Sequence, residues 1–299
     1  MADYTVKHVT RYSYQEEVSH CHNLAHMCPV TNRHQDCNDL KLHVLPGPSV
    51  SSYRKDYFGN LVYSFSVEDS HKSLEIVSES KVTTHPVDYG DLSHSPKVSE
   101  IPILLKSSHS KEDLEALEYV ADSAFVSKNS LFSDFALEML DAEKPLLQAV
   151  SDYTLKFFNT FEFKSGATTI HTPPAQVLKN RKGVCQDFTH LSIAALRSLG
   201  IPCRYVSGYI ETFPPPGQKK LQGSDASHAW FSVYSPGIGW VDYDPTNGKM
   251  LSEEYIFTSV GRDFADVSPL KGILFGGGKH KLKVEVDVIR EYNGSRYDL

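Results

Sequence analysis

The sequence predicts an α+β protein, because three kinds of pattern follow one another along it. Short alternating stretches broken by turn residues fill the first third, apolar residues at three- and four-residue spacing fill the middle, and strand-like runs follow the last helical stripe. Helices first and an antiparallel sheet after them make the core, with a strand-rich region ahead of both.

The N-terminal strands are read from alternation, as in residues 4–14 and 61–67. Between them Asp56-Tyr-Phe-Gly-Asn60 ends in a Gly-Asn pair suited to a tight reversal. An antiparallel, sandwich-like domain of roughly one hundred residues fits this pattern. A polar stretch over residues 89–112 then places a boundary near 110, giving an N-terminal β-rich domain at 1–110 and a core with a C-terminal strand at 111–299. Helical spacing follows in Leu114, Leu117 and Val120, and again in Leu146, Leu147, Val150, Tyr153 and Phe157.

Thr172-Pro173-Pro174 starts a short helix, with threonine accepting from the first free amides and proline in the first turn, and that helix ends near Arg181 or Lys182. The strongest helix begins at Gly183-Val184-Cys185. Phe188, Leu191, Ala195, Leu196 and Leu199 form its stripe, and Gly200 with Pro202 stops it. A helix this apolar is buried, which makes it the central helix of the core. Strands are expected at residues 203–211, 228–234, 240–244 and 281–288.

Composition narrows the function. A chain of 299 residues buries a full core, and 30 basic against 37 acidic residues give a net charge of −7, which lacks the basic footprint of a nucleic-acid binder. The start has no basic segment followed by an apolar one, and no run reaches bilayer length, so the expected address is the cytoplasm with no membrane partner. Five cysteines, at 21, 28, 37, 185 and 203, are read as reduced thiols. His20, Cys21, His22, His26, Cys28, His34 and Cys37 crowd together without the regular spacing of a zinc site, and are read as a solvated loop. Gly276-Gly-Gly278 follows no phosphate-loop pattern and is read as a flexible turn. No metal and no cofactor are expected.

The chemistry concentrates on three residues. Cys185 opens the apolar helix, where free amides and the positive end of the dipole favour a thiolate and can hold an oxyanion, and Gly183 lets the backbone approach a substrate. A buried structural cysteine is the alternative. Residues 228–234 and 240–244 form a hairpin about Pro236 or Gly237, which sets His228 opposite or nearly opposite Asp244, with directly opposed β-carbons about 5 Å apart. A nucleophile, a base and an orienting acid are thus available together. Asp242 shares the strand face of Asp244 and rivals it; parity does not separate the two, and the hairpin register favours Asp244.

Gly183-Val-Cys185-Gln-Asp-Phe, Arg197-Ser-Leu-Gly-Ile-Pro-Cys-Arg-Tyr-Val-Ser-Gly-Tyr209, His228-Ala-Trp and Trp240-Val-Asp-Tyr-Asp-Pro-Thr-Asn247 resemble the core of bacterial transglutaminase-like proteins. Gly261-Arg-Asp-Phe-Ala-Asp-Val267 with the three glycines resembles that group's C-terminal segment, and the N-terminal strands resemble its β-rich first domain. The resemblance implies a papain-like core in which Cys185 is acylated, His228 is its proton partner and Asp244 orients the ring. Asp187 lies in the matched motif as a supporting residue, and Cys203 is read as core.

The expected reaction is hydrolysis of a peptide or isopeptide amide through a thioester. The same triad serves transfer to an amine, and hydrolysis is favoured because no residue marks a site that excludes water. Coenzyme-A-dependent acyl transfer and a non-catalytic scaffold, with the N-terminal domain binding a protein partner, are the rivals. The proline-rich loop at 213–225 is expected to border the cleft.

Overall fold

The computed structural model describes residues 1–212, 225 and 227–291. The N-terminal strands are β1 (Ala2–Ala25), β2 (Gln35–Leu45), β3 (Val50–Lys55), β4 (Leu61–Val67) and β5 (His71–Thr84). Helices α1 (Ile101–Ser107), α2 (Lys111–Leu117), α3 (Ser130–Met139) and α4 (Leu146–Thr160) follow. Then come β6 (Glu162–Phe163), α5 (Pro174–Asn180), β7 (Lys182–Gly183) and α6 (Cys185–Ser198). The core strands are β8 (Cys203–Ile210), β9 (Ser227–Ser235), β10 (Gly239–Asp244), β11 (Lys249–Met250) and β12 (Tyr255–Gly261). A short α7 (Phe264–Val267) leads to β13 (Leu270–Gly276) and β14 (His280–Glu291). The α+β class holds, with a strand-rich region ahead of a helix packed on an antiparallel sheet.

The long strand β1 organises the first sheet. Residues 3–13 pair with β5 on one side and β14 on the other, and after a register shift residues 18–25 pair with β13, joined from residue 21 by β4. Because β1 changes partners at that shift, the sheet folds over itself. Tyr14, Val18, Cys21 and Ala25 pack inside on Phe65, Val67, Leu74 and Ile76.

Residues 270–291 therefore belong to the N-terminal sheet, whereas the sequence assigned the C-terminal strand to the core. The physical reason is an open edge. The first half of β1 has β5 as its neighbour from the N-terminal strands, and β14 covers its other, otherwise unpaired side. The His/Cys-rich stretch also departs from the loop reading, since residues 20–25 lie in β1 with Cys21 buried and His22 exposed on alternate sides. Among the described residues no group of three His, Cys, Asp or Glu side chains is placed to hold a metal ion.

The two regions share a packed interface. Tyr4, Val6, Val82, Val286 and Val288 from the first sheet bury Tyr209 and Ile256 of the second. Polar groups lock the same surface: Gln35 donates from Nε2 to the carbonyls of Val30 and Phe257 at 2.7 and 2.9 Å and accepts from the Phe257 amide at 2.8 Å. His8 meets the Tyr209 hydroxyl at 2.8 Å, and burial pushes this histidine down to about 4.

The core sheet runs β11-β10-β9-β8-β12. Ala229, Phe231 and Val233 of β9 pack with Phe188, Leu191, Ala195 and Leu196 of α6, while Trp230 packs with Val206, Tyr255 and Phe257 in a separate cluster. Gly208 of β8 stands opposite His228, and a β-carbon there would lie 2.5 Å from the Trp230 ring and 2.1 Å from the Ile256 carbonyl oxygen. Only glycine admits so close an indole. At the far end of α6, Arg197 is 1 % exposed and its guanidinium donates to the carbonyls of Cys203, Ala121 and Arg262 and to the Ser123 hydroxyl, at 2.7–3.2 Å. One side chain thus joins the helix to the start of β8 and to two loops.

Thr172 does not cap α5. The residue before the helix is Pro173 with no side-chain cap, and the Thr172 hydroxyl accepts from the Thr169 amide at 2.9 Å instead. Among the described residues no helix is long and apolar enough to cross a membrane. Of the loop at 213–225, Asp225 is anchored to β14, its amide donating to the Val286 carbonyl at 3.0 Å. Residues 213–224 lie outside the described residues, and with them the expectation that this loop borders the cleft.

Candidate active site

The site is built where α6 begins. Arg181, in the left-handed region with φ 52°, ends α5 and turns the chain into β7, which pairs with β6 through Glu162–Lys182 and Phe163–Gly183. Val184 is extended, with φ −119° and ψ 177°, so α6 starts abruptly at Cys185. Asp187 reaches back to accept from the Val184 amide at 2.8 Å and takes the Thr168 hydroxyl at 2.6 Å on the same oxygen. This is the carboxylate half of a capping box, and it leaves the next first-turn amides without an intrahelical acceptor. Burial raises Asp187 above the usual carboxyl range even though both hydrogen bonds favour the anion.

Gly183 is small for a different reason from the one the sequence suggested. A β-carbon there would lie 2.8 Å from Asp187 Oδ2, so its bareness makes room for the capping carboxylate.

The strands β9 and β10 bring the histidine and its acid. Their register pairs Gly239 with Ser235 and Tyr243 with Phe231, so the hairpin folds about Gly237 and Asp244 reaches His228 diagonally. His228 Nε2 lies 2.7 Å from Asp244 Oδ2, which leaves Nδ1 for the hydrogen bond with Cys185. Asp244 is 0 % exposed and saturated: Oδ2 also accepts from the Tyr255 hydroxyl at 2.7 Å and Asn247 Nδ2 at 2.6 Å, and Oδ1 from the Thr246 amide at 2.8 Å. A carboxylate given this many donors keeps its charge in the interior. Burial of Asp244 favours the neutral acid, but His228, Tyr255 and Asn247 together hold it below the usual range.

Burial is also the largest influence on His228 and would lower it; the Asp244 charge and hydrogen bond, with a contribution from Cys185 beside the ring, outweigh it and lift His228 to about 10. The structure therefore brings Cys185, His228 and Asp244 together. Cys185 is partly exposed, whereas Cys203 is fully buried and burial pushes its thiol far up.

Asp242 stands apart from this group. It is 0 % exposed and accepts from Ser232 through Oδ1, with His34 Nε2 at 3.3 Å and the Tyr89 hydroxyl at 3.4 Å on Oδ2. Tyr255 and Asn247 were not singled out from the sequence. Asn247 had a signal, since it lies three residues after Asp244 in the turn that the Asp-Pro pair opens.

With this geometry in hand, similarity to known proteins can be placed. Residues 133–245 match the Transglutaminase-like superfamily, and residues 4–83 match the Bacterial transglutaminase-like N-terminal region. An uncharacterised protein of Mycobacterium tuberculosis is 34 % identical over 291 residues, covering 96 % of this chain and 92 % of its own length. The chain belongs to the transglutaminase-like superfamily. Another superfamily relative, an uncharacterised protein of Mycobacterium leprae, is 32 % identical over 95 % of this chain and 98 % of its own. Locally, a protein-glutamine gamma-glutamyltransferase of Pseudomonas aeruginosa is 31 % identical over 104 residues, which is 33 % of this chain and 16 % of that protein. In three dimensions a candidate cysteine protease of Cytophaga hutchinsonii superposes with a TM-score of 0.76 at 19 % identity, over 99 % of this chain and 94 % of that one, and so shares the superfamily fold.

Proposed function

We propose that this transglutaminase-like protein is a cysteine-dependent amide hydrolase working through Cys185, His228 and Asp244. The observation that carries the reading is a thiol at the first turn of a helix, beside an imidazole whose other nitrogen is held by a saturated, buried aspartate. The Cys185 sulfur attacks the carbonyl carbon of a peptide or isopeptide bond, forming a C–S bond and an oxyanion that the first-turn amides stabilise. Collapse breaks the C–N bond as protonated His228 gives its proton to the leaving amine, and a thioester remains. Water then attacks the thioester while His228 takes its proton, and loss of the thiolate releases the acid.

Partial exposure of Cys185 favours water as the second nucleophile. A second reading, acyl transfer to a primary amine, is favoured by the Pseudomonas relative that bears that activity in its name, though the match spans a third of this chain. We place the protein in the cytoplasm, where five free cysteines and a nucleophilic thiol stay reduced.

Mass spectrometry of wild type and Cys185→Ala with a glutamine-containing peptide library, with and without added primary amine, tests both readings. Cleavage or deamidation lost in the variant is the expected result. Amine-dependent mass gain lost in the variant would replace hydrolysis by transfer, and the absence of any Cys185-dependent product would sink both.

A further inference from the structure

A cavity of about 1350 Å³ lies between the two sheets, around the β9–β10 turn and so at the opposite end of that hairpin from His228 and Asp244. Its walls include Arg204, Ser259 and Trp240, and its mouth includes Glu112 and Glu115. The Arg204 guanidinium lies over the Trp240 ring, with Cζ 4.4 Å from the centroid. Its buried Nε has no acceptor among the described residues. Asp242 supplies a counter-charge nearby, but the oxygens of that carboxylate are taken by Ser232, His34 and Tyr89.

A buried donor with no acceptor beside a cavity is costly unless a ligand supplies the acceptor. The planar fork of an arginine matches a carboxylate in two parallel hydrogen bonds, and the cation–π contact with Trp240 restrains that fork. The mouth has the opposite character. Glu112 and Glu115 are exposed there, beside Asp113 and Glu118, whose oxygens already accept from Tyr234 and Tyr57 at 2.6 Å. A purely anionic ligand meets repulsion on entry, whereas one with an anionic end and a cationic body is attracted at both places. Pockets for drug-sized ligands run to about 1,000 Å³, so this cavity has room for several residues of chain.

We propose that this cavity binds the C-terminal end of a basic peptide, its free carboxylate on Arg204 and its lysine or arginine side chains against Glu112 and Glu115. The site is separate from Cys185 and does not depend on the reaction assigned there.

The test is fluorescence anisotropy on the full chain carrying Cys185→Ala, so that no peptide is consumed. The probe is a labelled hexapeptide ending Lys-Lys-Ala, made as the free acid and as the C-terminal amide, beside a version with glutamates for the lysines. The acid should bind at least tenfold tighter than the amide and the glutamate peptide. Arg204→Gln should shrink the acid–amide difference. Equal binding of acid and amide, or binding of neither, would overturn the proposal, and this comparison stands even if Arg204→Gln fails to fold. Free lysine competing as well as the peptide at equal concentration would reject a peptide in favour of an amino acid.

Discussion

At Asp244 five donors surround one carboxylate, and this crowding decides the protonation of its neighbour. Because the folded pKa of His228 is raised, to about 10 from an ordinary 6.5, the stability it contributes is complete below about pH 6.5 and is lost as pH rises through 10. Asp244 is depressed, so its share is present above the ordinary aspartate value and is lost as acid titrates it. Asp244→Asn should therefore lower the melting temperature most near pH 6, with the gap to wild type closing towards pH 10. Melting curves across that range check this, and a gap constant from pH 6 to 10 would mean the ring is neutral throughout. Sequence parity leaves Asp242 and Asp244 equivalent, and it is the register about Gly237 that sends one to the imidazole and the other to Ser232, His34 and Tyr89. Tyr255 escaped the sequence reading because it reaches Asp244 from β12, a strand whose place in the sheet no local pattern announces.

Helix α6 shows how much of an element local pattern reveals. Its apolar stripe, its start at Cys185 and its stop at Gly200 were all legible, since each is a matter of spacing and backbone preference. What anchors its C-terminal end was not. A charged residue in the last turn reads as a dipole complement at the surface, whereas Arg197 is buried and serves carbonyls on β8 and on two loops. Replacing it leaves those carbonyls without a donor, each a loss of about 1–3 kcal/mol where burial is complete. Arg197→Leu should accordingly lower unfolding free energy by roughly 2–4 kcal/mol in urea titrations. A change below about 0.5 kcal/mol, the size of an ordinary surface substitution, would show that water replaces the guanidinium.

Over the whole molecule, the first and last strands complete one sheet, so the catalytic core is enclosed in sequence by a single β-rich unit. The strand at 281–288 was visible as a strand, but pairing between opposite ends of a chain leaves no trace in local composition, which is why its partner was misjudged. Removing residues 280–299 should expose the β1 edge from Asp3 to Tyr14 and uncover Val6 and Tyr209, giving aggregation instead of a merely weakened protein. The soluble fraction after expression and the melting temperature measure this; a soluble 1–279 chain melting with the full-length protein would refute it.

The register of β1 with β14 sets Asp3 against Glu291 and Tyr14 against His280, so the chain enters and leaves the sheet at the same corner. Tension applied between the two ends would load these pairs one after another, starting at Asp3, and would not shear the whole ladder at once. In a pulling experiment the protein should open like a zip, at low force and from its terminal seam, before the triad is disturbed.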